Sequence, residues 1–429
     1  MIFEGKVKRL SNDVIRLGDD LGYVDMVRTS RGWVRVGAMP EIAKLLRQAR
    51  TPPHYVVVRP APATQVGDGI TGEEFICWTS LDGMKFAGTY VGTEASLDIL
   101  RRYLEFTVPF YLNEDQSAIE RRDWLETLYC PHPVGPEGEA ALGSVRIRLE
   151  GERVRILDGR SMVYDHCPKP APDLPERIQA ALDRVPRWSA DADEFRVLVV
   201  GAGNGHVRNA SSFLLVCGDR LVWVDPAPRP HETLGDCGVH WDDVTDLLLT
   251  HTHEDHMGGL TACLARARDR RQRVSIWATQ SSFEAVQARL KHAVPHLDTL
   301  VNWREIVPGR PAHIGPARFE FRLNHHNLPS GTLGLKATCR GQCVGISGDT
   351  KYDEALIRRL NRRELEAAWF QECRLLFHEV DLVRPHSVHS YYPEVLKLAR
   401  QVSGRLLVYH TVGNTTPLEM ASEGRWYTP

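Results

Sequence analysis

The chain has 429 residues, of which 42% are hydrophobic and 25% charged, with a formal net charge of −2. This is longer than one ordinary domain, and the composition is globular, which excludes a disordered or fibrous chain. The near-zero charge excludes a global basic field for nucleic acid or anionic lipid, and no apolar run approaches the roughly 20 residues that span a bilayer. The start, "MIFEGKVKRLSNDVIRLG", lacks the apolar core and cleavage site of a signal peptide, so a cytoplasmic location is expected. Nine cysteines, scattered and mostly inside apolar runs (Cys77, Cys217, Cys263, Cys373), suit reduced buried thiols better than a disulfide framework.

From Met1 to about Tyr90, short β-rich runs ("GWVRVGAM", "HYVVVRPAP", "EEFICWTSL", "MKFAGTYVG") alternate with Gly and Pro punctuation. "EASLDILRRYLEFTV" has helical spacing. "CPHPVGPEGEAALG" (Cys130 to Gly143) is expected to be a loop, "GSVRIRLEGERVRILDG" a hairpin turning near Glu150-Gly151-Glu152, and "CPKPAPDLPERIQAALDRVPRW" to carry a short helix. A boundary is placed in "WSADADEF". Residues 1–190 are thus expected to form an α+β domain, for substrate recognition, dimerisation or partner binding, and residues 195–429 a second domain.

After Phe195 the strands each end in a polar cluster. "FRVLVV" leads to "GAGNGHVRNASS", "SFLLVCGDRLVWV" is a hairpin ending in "DPAP", and "VTDLLL" ends in "THTHEDH". "RFEFRL" ends in "NHHNLPSG", "LGLKATCRGQCVGIS" is a hairpin ending in "GDT", and "SGRLLVY" ends in "HT". Helical patterns lie between them: "GLTACLARARDRR", "QSSFEAVQARLKHAV", "DEALIRRLNRRELEAA" and "PEVLKLARQV". Strand ends that repeatedly present His or Asp are expected where one rim of a sheet system holds a site. The glycines at 201, 203 and 205 invite a dinucleotide reading. However, His206 stands where the third glycine belongs and a strand follows in place of a helix, so the reading is rejected. Cys339 and Cys343 flank Gly341, as in a strand-turn-strand. The arginines of "ARARDRRQR" are expected to form a solvated helix end, and Arg358, Arg359, Arg362 and Arg363 an exposed helix face.

"THTHEDHMGG" (Thr250 to Gly259) is the densest group of ligating side chains. Zinc takes neutral imidazoles and carboxylates, and catalytic sites leave a position open for water. In an extended segment residues i and i+2 share a side, so His251 and His253 can grip one ion. A turn after Glu254 throws Asp255 and His256 toward a second position. Glu254 has no task in this scheme and is expected to point away.

His251, His253, Asp255 and His256 together resemble the central motif of the metallo-β-lactamase-fold superfamily, and the flanking segments resemble its RNase Z-like branch. The resemblance covers most of Phe195 to His410. It implies an α/β (α+β) fold in which an αββα sandwich with a dinuclear metal site is joined to the additional N-terminal α+β domain. Asp225, at the end of "LVWVDPAP", resembles the aspartate that orients the metal-binding loop. "HNLPSGTLGLK" resembles the third-histidine segment and favours His326, whereas strand alternation through Phe319, Phe321 and Leu323 favours His325; His326 is preferred. "VGISGDT" resembles the segment that supplies a bridging carboxylate, Asp349. "LLFHEVD" and "HSYYPEVLKLA" resemble paired elements mapping onto Glu379 and His389, with His386 as a nearby competitor, and "RLLVYHT" maps onto His410. One ion would then be held by His251, His253, His326 and Asp349, and the other by Asp255, His256, Asp349 and His410. Zinc is the default, and manganese or iron would fit.

The resemblance implies hydrolysis of a phosphodiester, RNA or a small or cyclic nucleotide, by metal-bound hydroxide. Asp255 would orient the nucleophile, and His389, held by Glu379, would protonate the leaving group. The alternatives are a lactonase or thioesterase of the same fold and a non-catalytic metal-binding sensor. No membrane partner is expected; a homodimer is compatible with everything above.

Overall fold

The computed structural model describes residues 7–19, 22–37, 53–58, 88–107, 126, 129–167, 179–180, 182–189, 194–203, 210–290, 296–326, 331–352, 361, 366–383, 389–411 and 416–429. The chain divides into two compact units. One comprises Met1–Ile178, Thr261–Ala265 and Ala285–Leu297, the other Gln179–Leu260, Arg266–Glu284 and Asp298–Pro429.

Among the described residues, the first unit contains two sheets. Strands β1 (Val7–Arg9), β2 (Val14–Asp19), β3 (Gly22–Thr29), β4 (Gly32–Gly37), β5 (Tyr55–Val58), β6 (Thr89–Gly92) and β7 (Cys130–Pro133) lie side by side in sequence order. Pairing is antiparallel from β1 to β4 and parallel from β4 to β7. Strands β8 (Glu139–Leu142), β9 (Val145–Glu150), β10 (Arg153–Asp158) and β11 (Ser161–His166) form an antiparallel meander. Helix α1 (Glu94–Thr107) follows β6 and opens on Thr93, whose Oγ1 accepts from the Ser96 amide at 3.2 Å, the usual hydroxyl answer to an unpaired first-turn N–H. Val14, Val27, Val34, Val57 and Val91 of the large sheet pack in one core with Val145, Ile147, Val154 and Ile156 of the meander. The expected hairpin is present, with Arg153 opposite Glu150.

The expected loop at Cys130 to Gly143 is instead two strands, β7 and β8, joined by a turn. Pro131 and Pro133 mislead a reading by composition, but β7 is the edge of its sheet, and an edge strand tolerates missing donors. The expected strand "EEFICWTSL" and most of the helices in "CPKPAPDLPERIQAALDRVPRW" and "DEALIRRLNRRELEAA" fall outside the described residues.

The second unit has two seven-stranded sheets. The first has the order β17-β16-β15-β14-β13-β12-β25, built from β12 (Phe195–Gly201), β13 (Ser212–Cys217), β14 (Arg220–Val224), β15 (Asp246–Leu248), β16 (Val274–Ala278), β17 (Val301–Glu305) and β25 (Trp426–Tyr427). The second has the order β18 to β24, from β18 (Ala312–Ile314), β19 (Ala317–Asn324), β20 (Thr332–Cys339), β21 (Gln342–Ile346), β22 (Leu375–Glu379), β23 (Arg405–Tyr409) and β24 (Glu419–Met420). Each sheet joins an antiparallel part to a parallel part, β14 to β17 in one and β21 to β24 in the other. The parallel crossovers carry helices, among them α2 (Pro230–Asp236), α3 (Glu254–Met257), α4 (Leu260–Asp269), α5 (Gln280–Leu290), α6 (Leu297–Leu300), α7 (Glu366–Trp369) and α8 (Tyr392–Ala399).

Phe213, Leu215, Val222, Leu248, Phe319, Phe321, Leu335, Ile346, Phe377 and Tyr409 meet in one core between the sheets. A second core sets Phe370, Leu376, Val395, Leu398 and Val408 on the outer face of the β21–β23 sheet. Leu198, Leu214, Val216, Trp223 and Leu247 are buried on the outer face of the other sheet. Two sheets buried on both faces, with helical crossovers, give the αββα layering of the metallo-β-lactamase fold. Cys339 and Cys343 sit on the β20–β21 hairpin, whose turn is Arg340-Gly341. The arginines of "ARARDRRQR" are not all solvated: Arg266 holds Asp242 through two bonds of 3.0 Å and Arg270 also pairs with it. Asp242 is almost fully buried, and a buried carboxylate needs such counter-charge. The group Arg358, Arg359, Arg362 and Arg363 lies outside the described residues. Among the described residues no helix is long and apolar enough to cross a membrane.

The parallel strands end on one rim, and Gly348 just past β21 shows how tightly it is packed. Its φ is +61° and an added Cβ would collide with the Leu333 carbonyl oxygen, whereas Gly341, φ +75°, faces open space. Gly341→Ala should cost about 1–2 kcal/mol from backbone handedness alone. Gly348→Ala should add roughly 1–3 kcal/mol of overpacking. Urea midpoints of the two variants check this, and equal midpoints would contradict it.

Candidate metal centre

The site begins where β14 stops. Asp225 adopts a left-handed backbone, φ 52°, and turns its carboxylate toward the end of β15. Its Oδ1 accepts from the Thr250 amide at 2.7 Å and its Oδ2 from the Thr250 hydroxyl at 2.6 Å. Oδ2 also takes the Nδ1–H of His256 at 2.8 Å. After β15 the chain bends at Thr250 and is extended at His253, and α3 begins at Glu254, one residue earlier than the expected turn. His251 and His253 therefore share a side, with His251 Nε2 3.0 Å from His253 Nδ1. Asp255 and His256 lie on the single turn of α3. The side chain of Glu254 falls outside the described residues.

The second sheet supplies the facing groups. His326, just past β19, places Nε2 3.4 Å from His253 Nδ1 and 3.8 Å from Asp349 Oδ2. His325 stands in none of the grouped ligand atoms; its carbonyl receives the Lys351 amide at 2.7 Å. Asp349 follows β21 and lies amid the cluster, its Oδ1 3.4 Å from His256 Nε2 and its Oδ2 3.4 Å from His410 Nε2. Asn324 and Thr332 fix the Asp349 carbonyl at 3.2 and 3.0 Å. His410 ends β23 with φ 57°, and its Nδ1 lies 2.8 Å from Ser211 Oγ. Glu379, the last residue of β22, meets His389 Nδ1 at 2.5 Å and receives the Thr350 amide at 2.6 Å. His386 lies outside the described residues.

Ligand atoms gather into overlapping groups whose members lie within 4.8 Å of one another: His251, His253 and His326; Asp255, His256 and His410; Asp225, His251 and His256; and Asp349, Glu379, His389 and His410. All nine residues that the sequence marks as metal or catalytic candidates thus share one rim. Thr250, Ser211, Asn324 and Thr332 were not foreseen from sequence. Ser211 does lie within the segment that carried the resemblance, but hydroxyls in polar loops carry no distinguishing pattern.

Burial and the adjacent imidazoles hold His251 and His253 well below the usual histidine range, and burial pushes His410 down to about 3. These rings are neutral, as ligands must be. His256 differs: burial opposes its proton, but Asp349, Asp255 and Asp225 outweigh burial and hold it well above the usual range. Burial likewise opposes charge on Asp349, yet His410 and His256 keep its carboxyl well below the usual range. Three carboxylates around one imidazole is an excess of buried negative charge. His256 Nε2 and Asp349 Oδ1, moreover, lie buried 3.4 Å apart with no hydrogen-bond partner for either among the described residues, a costly state unless something else satisfies them. A divalent cation meets both demands, and imidazole nitrogens with carboxylate oxygens are the donors zinc and its neighbours take. The residues present therefore fit metal ions. For His389, burial works against the proton, but Glu379 and Asp349 raise it to about 9.

The chain is similar to known proteins. A cGMP-dependent 3′,5′-cGMP phosphodiesterase A of Dictyostelium discoideum is 26% identical over 259 residues, 56% of this chain and 28% of that protein. The chain thus spans little more than a quarter of that relative's length. The Anti-Pycsar protein Apyc1 of Paenibacillus sp. (strain J14) is 24% identical over 231 residues, 50% of this chain and 88% of that protein. Among solved structures, the metallo-beta-lactamase fold protein YhfI from Bacillus subtilis aligns with a TM-score of 0.45 at 17% identity, covering 55% of this chain and 100% of that one. Residues 195–425, more than half of the chain, match the family model described as Anti-Pycsar protein Apyc1, and the chain belongs to that family.

Proposed function

We propose that the C-terminal unit is a metal-dependent phosphodiesterase that opens a cyclic nucleotide with two divalent ions. His251, His253, His326 and Asp349 would hold one ion, and Asp255, His256, Asp349 and His410 the other, with zinc the default and manganese or iron compatible with the same donors. When bound, such ions supply Lewis acidity toward phosphoryl oxygens and bring water toward ionisation near neutral pH. Asp255 orients the attacking water and takes its proton. The P–O bond to water forms as the P–O bond to the ribose oxygen breaks.

The observation that carries this reading is the Glu379–His389 pair beside Asp349. With Nδ1 donated to Glu379, His389 has Nε2 to give its proton to the leaving oxygen. An acyl ester or thioester has little need of that device, whereas a ribose alkoxide leaves poorly without it. The names of two relatives of Dictyostelium discoideum, a 3′,5′-cGMP phosphodiesterase and a 3′,5′-cAMP/cGMP phosphodiesterase, support the cyclic-nucleotide class. All groups in this scheme come from His251 to His410, within the second unit. The cytoplasm suits the scattered cysteines.

Three outcomes test the proposal. Prolonged chelation should abolish hydrolysis of cyclic GMP and cyclic AMP, and adding back Zn²⁺ or Mn²⁺ should restore it. Activity that survives complete removal of metal, checked by elemental analysis, contradicts the metal role. His389→Ala should lower kcat on cyclic nucleotides about 10²- to 10⁴-fold, yet change little on bis-p-nitrophenyl phosphate, whose leaving group departs without a proton. Equal losses on both substrates, or dominant cleavage of carboxylic esters, would sink the assignment. Because His389 is raised to about 9, its acid form is present below that pH and lost above it. The kcat profile on cyclic nucleotide should therefore fall on the alkaline side, and Glu379→Gln should move that limb to lower pH; an unmoved limb points to another acid.

A further inference from the structure

The ligand histidines can serve metal only if each turns a bare ring nitrogen inward, and the hydrogen bonds around the site decide which nitrogen is bare. A side-chain hydroxyl has one proton to donate. The Thr250 hydroxyl gives its proton to Asp225 Oδ2 at 2.6 Å, a carboxylate oxygen that only accepts. Its remaining contact, His251 Nδ1 at 2.9 Å, must then be a bond in which Thr250 accepts and His251 donates. His251 is thereby fixed with the proton on Nδ1 and a lone pair on Nε2. The Ser211 hydroxyl is in the same position across the site. It donates to the Gly203 carbonyl at 2.8 Å and so must accept from His410 Nδ1, also at 2.8 Å. Both hydroxyls are buried, which leaves water no part in choosing the tautomer.

We infer that Thr250 and Ser211 are positioning residues that set the ring tautomer of one histidine in each metal subsite: Thr250 for His251, Ser211 for His410. The inference rests on the two-ion reading above. Asp225 closes the argument on one side. It anchors Thr250 through the amide and hydroxyl and takes the Nδ1–H of His256 directly, so one carboxylate orients a histidine in both subsites. His253 is the exception that fits the geometry: its Nδ1 is the atom facing His251 Nε2 and His326 Nε2.

The test combines tautomer and ion retention on the full chain. Long-range ¹H–¹⁵N spectra of histidine-labelled wild-type protein should show His251 and His410 with the proton on Nδ1. Thr250→Val should weaken retention of one ion against a chelator by about 10- to 100-fold, the usual cost of losing a group that orients a ligand. Thr250→Ser, which keeps the hydroxyl, should restore retention, and Ser211→Ala should weaken the other ion. Protons on Nε2 of His251 or His410 would overturn the inference, as would Thr250→Val and Ser211→Ala proteins that keep both ions as wild type does. Should a variant fail to fold, the wild-type spectrum and Thr250→Ser still decide. A wild-type protein that binds no ion at all defeats the two-ion reading instead, and its spectrum continues to report the tautomers.

Discussion

The buried carboxylate of Asp225 is the contact on which the rest of the site depends. It stands at the end of β14 in a left-handed backbone, a conformation that costs an ordinary side chain about 1–2 kcal/mol. In return it collects the Thr250 amide, the Thr250 hydroxyl and the His256 ring. Packing holds the same turn from below: Gly259 donates its amide to Pro226 at 2.9 Å, and a Cβ at Gly259 would strike the Ala227 carbonyl. The loop that carries four candidate ligands is thus clamped at both ends by residues 225–227. A second left-handed residue, His410, ends β23 in the same way. Backbone strain of this kind persists where the surroundings enforce it, and two of the six left-handed non-glycine residues among those described lie in the ligand cluster.

Charge explains why such a clamp is needed. Asp225, Asp255 and Asp349, all buried, crowd His256, and the imidazoles of His410 and His256 favour the ionised form of Asp349. His256 Nε2 and Asp349 Oδ1 face each other at 3.4 Å, and neither has a hydrogen-bond partner among the described residues. The fold holds this assembly with two buried sheets, and a bound cation would make it favourable. Glu379 is built differently. It is also buried, and burial raises its pKa, yet the Thr350 amide and His389 occupy its two oxygens.

Much of the second unit was legible because its signals are redundant. Four of the parallel strands, β14, β15, β21 and β23, are largely buried apolar runs that stop within three residues of a His or Asp, and the spacing of His251, His253, Asp255 and His256 survives any error of a residue or two in the boundaries. The choice between His325 and His326 was harder because alternation fails on β19. Phe319 and Phe321 point into the inter-sheet core, but Arg322 and Asn324 are buried as well. Where both faces of a strand are covered, period two no longer tells inside from outside. The N-terminal unit was less legible. Its strand β7 contains two prolines in four residues, which only an edge position permits. Thr250 and Ser211 were invisible for another reason: which way a hydroxyl donates is settled by its partners in space.

The central claim is that one rim of this unit holds two ions. Anomalous diffraction from crystals of the zinc-loaded protein tests it most directly. The account predicts two peaks roughly 3.5–4 Å apart, one among His251 Nε2, His253 Nδ1 and His326 Nε2, the other among Asp255, His256 Nε2 and His410 Nε2. No peak on this rim, or zinc bound only elsewhere, would contradict it.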